Sequence, residues 1–163
     1  MPSAVSAPPS VDLSFLFNQA SFALAARMGG ALSDLGISVR EYCVLMKAAE
    51  EERTQIAIAD LAALDKTTMV VTLDGLEKAG LAERRVSPTD RRARVVHVTS
   101  RGLKLLGRAH VMVAEVYDEA LADLSRSGRE AFLEALATVT DGVLATPSHT
   151  SAQRRKTPPP HRN

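Results

Sequence analysis

Cysteine is nearly absent. Cys43 is the only one in 163 residues, which excludes an intramolecular disulfide and any cysteine-based zinc cluster. Tryptophan is missing and aromatic residues make up 4% of the chain, so Ala, Leu and Val must supply the core, a composition that favours helices. No apolar run approaches the length needed to cross a bilayer. The amino-terminal MPSAVSAPPS has no basic residue ahead of an apolar core and is a poor secretory signal. A cytoplasmic protein without a membrane partner is the expectation. A Gly-rich phosphate loop, a nucleophile elbow and an HExxH motif are also missing, and no His, Ser and Asp grouping stands out. His97, His110, Cys43 and the carboxylates show no ligand pair at metal-site spacing. Neither catalytic residues, nor a metal site, nor a cofactor is therefore expected.

What is present is the composition of a soluble globular chain, 45% hydrophobic and 24% charged, with room for one domain of ordinary size and tails. Residues 1–10, rich in Pro, Ser and Ala, read as disordered. From Val11 onward Leu13, Leu16, Phe17, Ala20, Leu24, Met28, Ala31 and Leu35 recur every three or four residues, which predicts one amphipathic helix ended by Gly36. Ser38 and Glu41 form a capping box for a second helix with Tyr42, Leu45, Met46 and Ala49 inward. Thr54 is the N-cap of a short third helix with Ile58, Ala59 and Ala62 on its buried side. The break at Ala63-Leu64-Asp65 completes a helix-turn-helix. Such turns often hold glycine, so Ala63 implies backbone strain or a different turn.

Asp65 then caps a fourth helix through the Thr68 N–H, and Gly80 ends it in the left-handed conformation. Val70, Leu73 and Leu76 face inward, while Thr67, Thr68, Val71 and Thr72 lie at or beside the opposite face, a surface able to fit a DNA groove. Two alternating runs, Leu81 to Val86 and Arg94 to Val98, flank the Ser87-Pro88-Thr89-Asp90 turn cluster and read as an antiparallel hairpin. From Leu81 to Lys104 there are seven Lys or Arg against Glu83 and Asp90, a local +5 that leaves −4 for the rest of a chain whose total is +1. Cations concentrated in this way suit a phosphate-binding surface; a merely solvated arginine-rich hairpin is the alternative.

Thr99 caps a long fifth helix in which Leu103, Leu106, His110, Val113, Tyr117, Ala120 and Leu124 form a heptad-like seam that a small core would not cover. A sixth helix begins near Ser127, with Ser125 as a competing cap, and presents Phe132, Leu133, Leu136, Val139 and Val143. The remaining TPSHTSAQRRKTPPPHRN has no acidic residue and reads as a disordered basic tail.

The segments LAALDKTTMV, LEKAGLAERR, the DRR of Asp90 to Arg92 and VTSRG at Val98 to Gly102 resemble the MarR family of transcriptional regulators. The similarity runs from about Val11 to Ala145 and is strongest from Ile58 to Gly102. It implies a mainly α fold with a small β-hairpin wing: a dimerisation helix over 11–36, a winged helix-turn-helix DNA-binding region over 37–102 and dimerisation helices over 103–145. It further implies a homodimer on a pseudo-palindromic double-stranded DNA operator, usually as a repressor.

The implied DNA contacts are Thr54 and Gln55 on the third helix, Lys66, Thr67, Thr68, Val71 and Thr72 on the fourth, and Arg84, Asp90, Arg91, Arg92 and Arg94 on the hairpin. In the family pattern the arginine matching Arg92 enters the minor groove, held by a salt bridge from the aspartate matching Asp90. Many members carry a polar residue and then an arginine where this chain has Val70 and Val71, so the operator sequence is left open. The resemblance also implies release by a small phenolic or anionic effector, for which Arg27, Tyr42, Met46 and His110 are candidates. Core packing for Tyr42 and Met46, a surface charge for Arg27 and a hydrogen-bonded interface position for His110 are the competing readings. Ser21 stands where the hydroperoxide-sensing branch has its reactive cysteine, which disfavours peroxide sensing by that route, and Cys43 reads as a small buried hydrophobe. A winged-helix module that binds protein instead of DNA is the alternative function.

Overall fold

The computed structural model describes residues 11–88, 90–142 and 144–145. The expected disordered amino terminus and basic tail lie outside them, as do Thr89 of the turn cluster and Val143 of the sixth helix.

Asp12 opens α1 (Leu13–Ser33) by accepting the Phe15 N–H at 2.9 Å. The helix gives way to a turn in which Gly36 takes φ +69. Ser38 and Glu41 form the expected capping box of α2 (Val39–Glu50): Glu41 N–H donates to Ser38 Oγ at 3.2 Å, and Ser38 N–H to Glu41 Oε2 at 2.8 Å. Two residues of extended chain, β1 (Arg53–Thr54), precede α3 (Gln55–Leu61), which Thr54 caps by accepting the Ala57 N–H at 3.2 Å. The turn to α4 (Lys66–Lys78) does carry strain. Ala63 has φ 51 and is the one non-glycine residue at positive φ among those described, a conformation costing an L residue roughly 1 kcal/mol or more.

The wing consists of β2 (Ala82–Val86) and β3 (Arg94–Val98), antiparallel in a register that sets Ala82 against Val98 and Val86 against Arg94. β1 pairs with the other edge of β3, giving the order β1-β3-β2. That first strand, two residues long, is too short to show an alternating pattern in the sequence. α5 (Ser100–Ala120) follows. Among the described residues the fold is therefore mainly α, six helices with a small three-stranded antiparallel sheet.

The chain divides into one unit through Ala120 and a second from Leu121. In the first, Leu32, Val44, Leu45, Ile58, Met69, Leu73, Leu76, Val96 and Val113 are essentially inaccessible and belong to one core. The buried faces of α2 and α5 differ from expectation. On α2 the buried set is Tyr42, Val44, Leu45 and Ala48, with Met46 half-buried and Ala49 exposed. On α5 it is Gly102, Leu106, Ala109, Val113 and Val116, whereas Leu103, His110 and Tyr117 are exposed. The anticipated seam is thus divided: Leu106 and Val113 close this chain's own core, and its other five members are exposed. In the second unit, α6 (Arg126–Asp141) is capped by Ser125, which accepts the Gly128 N–H at 3.1 Å, so the competing cap is the one used. α6 buries none of its side chains and leaves Phe132, Leu133 and Val139 exposed.

Candidate nucleic-acid interface

The amino end of α4 is built around Asp65. Its carboxylate accepts both the Thr68 hydroxyl at 2.6 Å and the Thr68 N–H at 2.9 Å, and these two bonds, the hydroxyl first, hold its pKa below the usual carboxylate range. Beyond this cap, the outward stripe of α4 consists of Lys66, Thr67, Val71, Asp74 and Lys78. Val71 is 66% exposed. Thr72 does not belong to that stripe. It is buried, donating its hydroxyl to the Thr68 carbonyl at 2.7 Å, because position 72 falls on the side of α4 shared with Leu73 and Leu76. Thr68 is half-buried.

The arginines of the wing fall into two classes. Arg84, on β2, is partly buried and bound from three directions: its guanidinium pairs with Glu77 and, at 2.7 Å, with Asp74 of α4, and its Nε donates to Gln55 Oε1 of α3 at 3.2 Å. Its backbone N–H also donates to Glu77 Oε1 at 2.7 Å. Arg84 and Gln55, both expected at DNA, are instead occupied in a clamp joining the wing to α3 and α4. At the tip, Arg91, Arg92 and Arg94 are exposed and form no ion pair among the described residues.

Asp90 does not hold Arg92 by a salt bridge here. Its Oδ1 accepts the Arg92 backbone N–H at 2.9 Å, a tight Asx-type turn that shapes the tip and leaves the guanidinium loose. Ser87 N–H to the Ala93 carbonyl, at 3.1 Å, and Ala93 N–H to the Asp90 carbonyl, at 3.0 Å, close the same loop. At the base of the wing, Thr99 donates its hydroxyl to the Gly80 carbonyl at 2.8 Å and accepts the Gly102 N–H at 3.0 Å, and its own N–H reaches the Leu81 carbonyl at 3.0 Å. This splice, invisible as a contact in the sequence, ties the end of α4 to the start of α5.

Of the candidate effector residues, Tyr42 is 4% exposed and stands edge-on to the exposed His110 ring, centroids 5.7 Å apart at 90°. Burial, with Tyr117 and Cys43 nearby, pushes its phenol up to about 12. Burial likewise raises the Cys43 thiol above its ordinary value, the environment of an inert thiol. His110 itself is exposed on α5. Met46 is half-buried against the core, and Arg27 lies 3.6 Å from Glu119, both exposed. The described residues contain no group of side chains able to hold a metal ion, and no described helix is long and apolar enough to cross a membrane.

A strand-capped helix-turn-helix beside a wing tipped with three unpaired arginines invites comparison with known DNA-binding proteins. Residues 35–93 match the MarR family model. Over 95 residues the chain is 32% identical to the transcriptional regulator HosA of Escherichia coli O111:H-, covering 58% of this chain and 70% of that protein. The chain belongs to the MarR family. MarR-family regulators are DNA-binding proteins without enzymatic activity, and this one is a transcriptional regulator of that kind. Among solved MarR-like structures, the repressor CouR bound to a 23-mer DNA duplex is similar with 28% identity and TM-score 0.70, covering 78% of this chain and 92% of CouR. CouR from Rhodococcus jostii RHA1 bound to p-coumaroyl-CoA is similar with 26% identity and TM-score 0.73, covering 82% and 95%.

Proposed function

We propose that this MarR-family protein is a repressor that binds a pseudo-palindromic operator as a homodimer and is released by a small effector. The observation that carries the reading is the pairing, on one helix-turn-helix, of an α4 surface free of unpaired acid with three exposed wing-tip guanidiniums. Lys66, Thr67 and Val71 enter the major groove, Thr54 and the half-buried Thr68 border it, and Arg92 enters the adjacent minor groove, where an arginine reads width more than base identity. Arg91 and Arg94 meet phosphate. The similarity to DNA-bound CouR supports this docking.

Dimerisation is supported by apolar surface without a covering. All of residues 11–23 are exposed, including Phe15 and Phe22 at 59% and 77%, and exposed large apolar side chains grouped on one helix mark an interaction surface. A two-fold dimer through the terminal helices would set two winged helices on half-sites about one helical turn apart. A phenolic or anionic effector acting near Arg27, Tyr42, Met46 and His110 is supported by p-coumaroyl-CoA binding in CouR.

The test is fluorescence anisotropy of the full chain on labelled duplex from its own upstream region, at several salt concentrations, beside an unrelated duplex. Arg92→Ala is expected to weaken binding by on the order of 1–3 kcal/mol; unchanged affinity at physiological salt would remove Arg92 from the groove. Arg84→Ala gives the opposite signature. It should lower stability by about 1 kcal/mol or less, as a partly exposed charge cluster does, without changing the salt slope of binding. A slope reduced by about one would instead mark Arg84 as a phosphate contact.

A further inference from the structure

The outward stripe of α4 carries a particular deficit. Between Lys66 at its start and Lys78 at its end, it presents only Thr67, Val71 and Asp74. Reading guanine from the major groove takes a bidentate donor, and cytosine takes an acceptor for its amino group. The one acidic acceptor on the stripe, Asp74, is bound by Arg84 at 2.7 Å, and that guanidinium is itself held by Glu77 and Gln55, so neither reaches a base edge. The half-buried Thr68 hydroxyl donates its proton to Asp65 at 2.6 Å, and the Thr72 hydroxyl, buried on the other side, donates to the Thr68 carbonyl at 2.7 Å. The centre of the helix therefore offers the groove two methyl groups of Val71, 66% exposed, and one turn earlier the hydroxyl and methyl of Thr67. Apolar atoms pressed against an unpaired donor or acceptor would bury that polar group at a cost, whereas the thymine C5 methyl is the apolar feature of the major-groove edge.

We infer that Val71 reads the 5-methyl group of thymine, so that each operator half-site carries A·T pairs with inward-facing thymine methyls where the middle of α4 meets it. This rests on the proposed entry of α4 into the major groove, and it assigns to this chain a half-site chemistry set by methyl burial at the centre of the helix.

The experiment has two stages. The full chain is first used to select duplexes from a random pool, and the enriched sequence is then synthesised with thymine or with deoxyuridine, which lacks only the methyl, at each half-site thymine. Wild-type protein is expected to bind the uracil duplex about fourfold more weakly per methyl read, the equivalent of burying one such group. In Val71→Ala, whose exposed position spares the fold, the thymine and uracil duplexes should bind alike. Arg92→Ala should bind both more weakly while keeping the thymine preference, since it acts in the other groove. Equal wild-type affinity for the two duplexes overturns the inference, as does a thymine preference that survives in Val71→Ala. A selection that enriches no sequence overturns the operator reading itself, and the methyl inference with it.

Discussion

Gly102→Ala is expected to destabilise the protein by ~3 kcal/mol or more, the upper end of overpacking costs, even though alanine is the better helix former. Gly102 sits in the first turn of α5 and is buried there. A Cβ added to it would lie 2.0 Å from the Leu81 carbonyl oxygen and 2.8 Å from Val98 Cγ1. The first obstacle is backbone, already engaged by Thr99, so it cannot swing aside as a long side chain would. Helix propensity alone argues for a gain of about 1 kcal/mol, which the steric term outweighs. Gly107 provides the control within the same helix. It is exposed, nothing lies within 4 Å of its added Cβ, and Gly107→Ala should stabilise by up to ~1 kcal/mol. Urea denaturation of both variants checks the pair. Equal small gains would mean that α5 does not start against the wing. Because the same splice fixes the base of the hairpin, Gly102→Ala should also weaken DNA binding, while Gly107→Ala should not.

The contrast marks what a sequence carries on its surface. Caps are local: Ser38 with Glu41, Thr54, Asp65 and Thr99 each close onto a partner three residues away, so their chemistry was legible without a fold. The hairpin was legible because period-two alternation flanks a turn cluster. Even the strain at Ala63 followed from finding alanine where the turn calls for glycine. What the sequence hid was commitment. Arg84 and Arg92 look alike as basic residues of a wing, but the partners that withdraw Arg84 lie 7, 10 and 29 residues away, and only tertiary structure brings Glu77, Asp74 and Gln55 together. Thr72 was lost to the DNA surface for a related reason: on a helix that mixes threonines with apolar side chains, a shift of one position decides which threonine faces in. Asp90 was identified as Arg92's partner, but through the backbone N–H and not the guanidinium.

Helix α5 shows the same limit at larger scale, and a charge at Val113 is the second large expected effect. The three-four spacing of Leu106, His110, Val113 and Tyr117 is compatible with an intersubunit seam, yet Val113 is 1% exposed within this chain's own core, beside Leu106 and Ala109. Val113→Glu would bury an unpaired carboxylate there, expected to cost upward of ~4 kcal/mol and to unfold the first unit before it could report on assembly. Phe22→Glu separates the two questions. Phe22 is 77% exposed, so the monomer should change by no more than about 0.5 kcal/mol, while a dimer that buries this face of α1 would now carry two facing charges and dissociate. Circular dichroism and analytical ultracentrifugation of both variants decide between the roles. Expected are a disordered Val113→Glu chain and a folded, monomeric Phe22→Glu chain. A folded but monomeric Val113→Glu would return that residue to the subunit interface. A Phe22→Glu chain that stayed dimeric at micromolar concentration would mean that the exposed amino-terminal half of α1 is not where two copies meet.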